Sequence, residues 1–330
     1  MPKLVTIYGG SGFVGRYIAR RMARAGWRVR VAVRRPNEAL FVKPYGDVGQ
    51  VEPVLCNIRD DASVRAAVEG ADAVVNLVGI LYPRGRQTFD AVHHAGAERI
   101  AAAAKAAGVE TFVQISAIGA DKNSASAYAR SKALGEEAVR KHIPGAVILR
   151  PSVVFGPQDD FFNRFARMAC WSPVLPVFGC PFPRFRNGKL DLYGSGGTRF
   201  QPVYVGDVAD AAFKALADPS CRGKSYELGG PTVYSFVELM RLVMEQSGRR
   251  CLLMPLPFWA GSLIGFFAGL LPVPPLTRDQ VTLLKMDNVV GGKLPGMQDL
   301  GVAPTAAEAI LPTYLDIYRR GGRYSQPNFV

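Results

Sequence analysis

The sequence predicts an α/β chain: a Rossmann-type doubly wound parallel sheet with a smaller C-terminal region. Three observations carry this expectation. A glycine-rich loop sits directly between the first apolar run and a helix, short β-branched runs alternate with helical patterns as far as Pro151, and the alternation then breaks into proline- and aromatic-rich loops with intervening helices. Runs this apolar belong to strands buried on both faces, and helical crossovers between them make the sheet parallel.

In order, the elements are LVTIYG (4–9), a helix from about Phe13, RVRVAVR (28–34), QVEPVLCN (50–57), the helical SVRAAVEG (63–70) and ADAVVNLVG (71–79). There follow an alanine-rich helix from about Thr88 to Ala107, TFVQISA (111–117), a helix carrying Tyr128 and Lys132, and AVILRPS (146–152). These place a nucleotide-binding domain at 1–152. Residues 153–330 make a smaller substrate-like or docking region, from which elements around 200–230 return to the first domain. The 330 residues, 48% of them hydrophobic, suffice for this division.

Forty Lys and Arg against 27 Asp and Glu leave a formal net charge of +13, which suits an acidic partner such as nucleotide phosphate or anionic lipid. The five cysteines are scattered and form no CxxC pair, which excludes a disulfide framework or zinc site and suits a reducing compartment. No metal is expected. The first strand-like run starts at Lys3, so no signal or transit peptide is expected unless one has been removed.

The stretch YGGSGFVGRYIARRM supplies the strongest motif. Gly10, Gly12 and Gly15 satisfy GxGxxG, and Gly9 extends the three-residue spacing. Glycines there permit a tight turn, close approach of backbone to a pyrophosphate and close helix-to-strand packing, with phosphate at the helix N-terminus. Gly9, Gly10, Ser11, Gly12, Phe13, Val14 and Gly15 are therefore candidate dinucleotide ligands. An acidic side chain ending the second strand would bind a ribose 2′-hydroxyl. This chain instead has Arg34 and Arg35 there, with Arg16 after the last loop glycine. Guanidinium groups suit a 2′-phosphate, which favours NADPH or NADP over NAD(H).

In SAYARSK, Tyr128 and Lys132 stand four positions apart, on one face of a helix. A buried lysine beside a phenol can make an acid pair, whereas a surface lysine shielding a half-buried tyrosine gives the same spacing.

Taken together, the loop, the second-strand end and YxxxK resemble the short-chain dehydrogenase/reductase superfamily in its extended or atypical branch. NLVG looks like its fourth-strand segment, giving Leu77, Val78 and Gly79 as cofactor neighbours. CNIRDDAS resembles the stretch near adenine, with Asn57 where Asp is usual and Ile58 beside it. RPSVVFGP, with Pro151 and Val153, and FQPVYVGDVADA resemble later signatures. The combination GGSGFVGRY, VAVRRP, SAYARSKALGEE and a long apolar C-terminal segment is similar to the nucleotide-binding accessory-subunit family of respiratory complex I, the alpha-subcomplex subunit nine family. The resemblance implies partners among other complex I subunits. It also implies a peripheral position on the cytoplasmic side of a bacterial inner membrane, or the matrix side if a targeting sequence was removed.

The superfamily's active members add a serine or threonine near the end of the fifth strand. Here FVQISAIGA, with Ile115 beside the cofactor, puts Ala117 at the hydroxyl position and Ser116 one residue early, where strand alternation would turn it away. The resemblance then implies no independent catalysis, with Tyr128, Lys132 and Ser116 as remnant candidates that hold the nicotinamide ribose. Ser116 in register would restore an NADP-dependent reductase or epimerase.

Two stretches bear on docking. Residues 161–189 interleave seven aromatics with arginines, which suits a protein interface, a membrane surface or a packed core; nucleic acid is not expected, because no recognition motif accompanies them. PLPFWAGSLIGFFAGLLPVPPL (255–276) holds about 14 uncharged positions between prolines, or ~21 Å of helix, too short to span a bilayer. It is either core or a face for anionic membrane or a membrane-embedded partner.

Overall fold

The computed structural model describes residues 2–180, 184–186, 189–269, 271–272 and 274–322. The chain divides into two compact units: Met1–Pro151, Val205–Leu228 and Val290–Ala303 form the first, and Ser152–Tyr204, Gly229–Val289 and Pro304–Val330 the second.

The first unit is a seven-stranded parallel sheet. Its strands are β1 (Leu4–Tyr8), β2 (Arg28–Val33), β3 (Val51–Leu55), β4 (Ala73–Asn76), β5 (Thr111–Ile115), β6 (Val147–Pro151) and a late strand, Ser225–Leu228. Every residue of β1 and β4 is buried, as expected of central strands covered on both sides. From the edge the order is late strand, β6, β5, β4, β1, β2, β3. The chain therefore starts mid-sheet, runs out to one edge, returns to β4 and runs to the other. That reversal leaves a switch point between β1 and β4 at the carboxyl ends of the strands, where open α/β sheets bind ligands.

Helices α1 (Phe13–Arg24), α2 (Asp61–Val68), α3 (Ala95–Ala106) and α4 (Ala127–His142) link these strands. Asp60 caps α2 by accepting from the Ser63 N–H, and Ser126 caps α4 by accepting from the Ala129 N–H. The strands stop short of the apolar runs that predict them. After β4, for example, the Asn76 side chain accepts from the Val78 N–H and turns the chain out of the ladder. The expected single helix from Thr88 is interrupted: Asp90–His94 form a wide π turn ahead of α3, which carries His93 inward while His94 pairs with Asp90 at the surface.

The second unit is built around phenylalanines. Phe236 lies 5.6–5.7 Å from the rings of Phe165, Phe178 and Phe200, mostly edge to face. Helix α5 (Phe161–Trp171) buries Phe162 and Phe165 in this core, and Phe178 joins them. Phe161, Phe162, Phe165 and Phe178 of the aromatic stretch are thus internal, whereas Trp171 is 88% exposed; Phe182 and the Phe185 side chain lie outside what is described.

The apolar segment after Pro255 forms an 11-residue helix, Phe258–Ala268, shorter than the expected 14 positions. Pro257 caps its start and Gly269 its end. It packs through Gly261 and Gly265, whose missing β-carbons would lie 3.1 Å from the Phe178 ring and 2.9 Å from the Thr277 carbonyl carbon. Trp259, Leu263, Ile264, Phe266 and Phe267 are left exposed. Among the described residues, no helix is long and apolar enough to cross a membrane.

Candidate nucleotide-binding site

The glycine loop sits at the switch point. Gly9 takes φ +80°, its N–H donates to the Ala32 carbonyl at the end of β2, and the Gly12 N–H turns back onto the Gly9 carbonyl. A β-carbon on Gly9 would lie 3.4 Å from Val78, so the loop abuts the segment after β4. Gly12 then caps α1 in an extended conformation with no side-chain cap and no acidic residue in the first turn. Backbone N–H groups at the positive end of the helix, reached past residues without side chains, suit a diphosphate. Ser11, Phe13 and Val14 are each half-buried around this turn.

Arg16 braces the loop from outside, donating to the Ser11 carbonyl at 3.3 Å with its guanidinium 4.7 Å from the Phe41 ring. Arg34 and Arg35 emerge exposed from the end of β2, with Arg35 2.9 Å from Glu38. Both partners of that pair are solvated, so little is lost if Arg35 turns to another anion.

Asn57 and Ile58 have structural work. The Asn57 side chain accepts from the Arg59 N–H, its own N–H donates to Ser63 Oγ, and Ile58 fills the space beside Gly96. After β4, the Leu77 N–H donates to the Tyr8 carbonyl and Gly79 is exposed. A β-carbon on Gly79 would lie 3.4 Å from Lys132 Nζ and 3.5 Å from His93 Nε2, so this loop reaches the YxxxK helix.

On α4, Lys132 Nζ donates to the Ile115 carbonyl at 3.3 Å and lies 5.9 Å from the centre of the Tyr128 ring. The lysine is buried, which disposes of the surface-shield reading. Burial lowers the Lys132 ammonium to about 8, with Glu136 opposing the shift, and raises the Tyr128 phenol to about 12. Ser116 is buried and its hydroxyl has no hydrogen-bond partner among the described residues, whereas Ala117 is half-buried. Pro151 ends β6 and its carbonyl accepts from the Ile118 N–H. Val153 belongs to the second unit, where it bonds Asn288 and Val203.

The fold thus gathers the glycine loop, the end of β2, Leu77–Gly79, Ile115, Tyr128 and Lys132 at the carboxyl ends of the parallel strands. Sequence reasoning passed over His93 and Phe89, which form an aromatic cluster with Tyr128: ring centres are 5.3 Å apart for His93 and Tyr128 and 5.5 Å for His93 and Phe89. The chain has three histidines, and an adjacent pair of them opening an alanine-rich helix was the available signal. Among the described residues, no group of His, Cys, Asp and Glu could hold a metal ion.

Residues 5–229 match the family described as NAD dependent epimerase/dehydratase. The chain belongs to that family. Its relatives include the mouse (Mus musculus) NADH dehydrogenase [ubiquinone] 1 alpha subcomplex subunit 9, mitochondrial, 34% identical across 92% of this chain and 78% of the relative. The ceramide reductase of Caulobacter vibrioides is 30% identical across 82% of this chain and 80% of that protein. Among solved structures, the UDP-glucose 4-epimerase of Thermus thermophilus in complex with NAD superposes with a TM-score of 0.68 at 21% identity, covering 96% of this chain and 98% of that one; it speaks to the fold alone.

Family membership makes the cofactor class a nicotinamide dinucleotide, and the donor set fits one. A glycine-rich cradle faces a helix start, and the unpartnered Ser116 hydroxyl lies one residue beyond the carbonyl that holds Lys132. Such a cofactor supplies hydride chemistry when bound. The chain's own part would be to hold it: the first turn of α1 would take the diphosphate, and Lys132 and Tyr128 would donate to ribose hydroxyls. The phenol stays protonated across physiological pH.

The buried ammonium gives a pH signature. Because the folded-state pKa of about 8 lies below the ordinary 10.5, charged Lys132 costs stability below pH 8, and the cost is relieved as pH rises to 10.5. Ligand-free protein should therefore gain up to about 3 kcal/mol relative to Lys132→Met over that window. Urea unfolding of both proteins from pH 7 to 10.5 measures this, and parallel stability curves would contradict it.

Proposed function

We propose that the chain is an accessory subunit of respiratory complex I that holds NADP(H) as a mainly structural cofactor and supports assembly or stability at the membrane. The observation that carries this reading is the 34% identity to the mouse complex I subunit across nearly the whole chain. Arg16, Arg34 and Arg35 favour a 2′-phosphate over a bare ribose. The half-buried Ala117, at the position where the superfamily's active members carry a hydroxyl, favours retention of cofactor over turnover. The proposed partners are other complex I subunits, and the proposed place is the cytoplasmic face of a bacterial inner membrane, or the matrix face if a leader was removed.

A second reading has its own observation. The Caulobacter relative is named for reduction of ceramide, and this chain keeps Tyr128 beside a buried Lys132 with an unpartnered Ser116 hydroxyl nearby in sequence. That combination suits an NADP-dependent reductase or epimerase.

For docking, the helix Phe258–Ala268 is the best candidate. Trp259 is 66% and Phe267 62% exposed, on a helix with no charged residue, and Arg278 lies 5.7 Å from the Phe266 ring. Apolar anchors next to a cation suit an anionic bilayer interface or a membrane-embedded partner.

Two outcomes are expected. Replacing Arg34 and Arg35 together with Ala should weaken NADPH binding at least about tenfold while leaving NADH within about twofold; equal losses in a calorimetric titration would remove the 2′-phosphate reading. Phe266→Asp with Phe267→Asp should release the protein from membrane fractions with NADPH affinity intact. Retention in the membrane pellet by a folded variant would end the docking proposal.

A further inference from the structure

His93 is 2% exposed, and both of its ring nitrogens are spoken for. Nε2 lies 2.9 Å from the Ile80 backbone nitrogen, whose N–H has one direction to donate. Nε2 must therefore be the acceptor, and the ring proton sits on Nδ1, 2.8 Å from Ser131 Oγ. Ser131 in turn donates its hydroxyl to the Tyr128 carbonyl at 2.8 Å, one turn back on α4. A directed chain of hydrogen bonds thus runs from the loop after β4, through the imidazole, into the helical turn that carries Tyr128.

The fit around the ring allows little else. Phe89 stacks on it at 5.5 Å, the Tyr128 ring meets it nearly perpendicular at 5.3 Å, and a β-carbon on Gly135 would fall 2.1 Å from the His93 carbonyl oxygen. A second proton on the ring would point at the Ile80 N–H and sit close to the Lys132 ammonium. Burial, with the lysine charge adding to it, accordingly lowers the imidazole to about 3.

We infer that His93 is a positioning residue: a hydrogen-bonded bridge that fixes the Leu77–Ile80 loop against α4 and so sets where Tyr128 and Lys132 meet the nicotinamide half of the cofactor. This rests on the reading that the site binds NADP(H). It makes no claim on the diphosphate and adenosine half, which belongs to the glycine loop and the end of β2. A glutamine can place its amide oxygen near the position of Nε2 and keep the Ile80 bond, whereas phenylalanine keeps the ring contacts and loses both hydrogen bonds.

The test compares NADPH with 2′-phosphoadenosine 5′-diphosphate, which lacks nicotinamide and its ribose, by calorimetry on the full chain. His93→Phe should lose about tenfold or more in NADPH affinity and less than about twofold for 2′-phosphoadenosine 5′-diphosphate. His93→Gln should recover most of the loss, and Ser131→Ala should fall between. An equal loss for both ligands, or none for either, in His93→Phe overturns the assignment. If His93→Phe fails to fold, the same comparison in Ser131→Ala decides: a loss confined to NADPH supports the bridge, and an equal or absent loss overturns it. Wild-type protein that binds 2′-phosphoadenosine 5′-diphosphate as tightly as NADPH would likewise sink the inference, while wild type that binds neither would sink the cofactor reading beneath it.

Discussion

A β-carbon on Gly15 would lie 2.4 Å from the Gly9 carbonyl oxygen and 2.7 Å from the Gly10 α-carbon. Helix α1 can begin where it does only because residue 15 has no side chain. That single close approach fixes the first helix against the end of the first strand, points its N-terminus at the sheet's switch point and leaves a cradle built mainly of glycine. The rest of the nucleotide site is arranged relative to this point. The loop after β4 touches Gly9 through Val78, and at its far end the same loop meets the YxxxK helix through Gly79.

Beyond the cradle, the site is held by polar groups buried in pairs. Asn76 Nδ2 donates to Gln114 Oε1 across β4 and β5, joining the two strands whose ends carry the cofactor-side loops. Arg150 grips Glu136 through two hydrogen bonds of 2.9 and 2.6 Å, one helical turn beyond Lys132. Removing one member of such a pair would strand the other in a low-dielectric setting, so these contacts hold α4 in a defined register against the sheet. Lys132, reaching from α4 to the Ile115 carbonyl, and Ser116, just after β5, are incompletely matched, and they meet at the end of β5. Incomplete satisfaction of buried polar groups beside the cofactor-side loops is what a ligand site requires.

Much of this was legible in the sequence, for physical reasons. Glycine spacing, strand burial and the i, i+4 placement of Tyr128 and Lys132 are local properties, and they predict the sheet and the loop directly. What escaped depends on packing between distant segments. Nothing local distinguishes a histidine buried against α4 from one on the surface, and the π turn that rotates His93 inward leaves no pattern in composition. An apolar run is equally compatible with core and surface, so the exposure of Phe266 and Phe267 waited on seeing Gly261 and Gly265 take the packed face. Phe162, Phe165 and Phe178 went the other way, into a core that the interleaved arginines disguised. Motif analogy placed Pro151 and Val153 in one signature, but the boundary between the two compact units falls between them.

The central claim is that nicotinamide cofactor and respiratory partners belong to the same assembly. Native mass spectrometry of complexes released from membranes by mild detergent reads both at once. The account predicts this chain within a complex I assembly, carrying one NADP(H) that stays bound through purification. A chain found free of other respiratory subunits, or present in the complex without nucleotide, would contradict it.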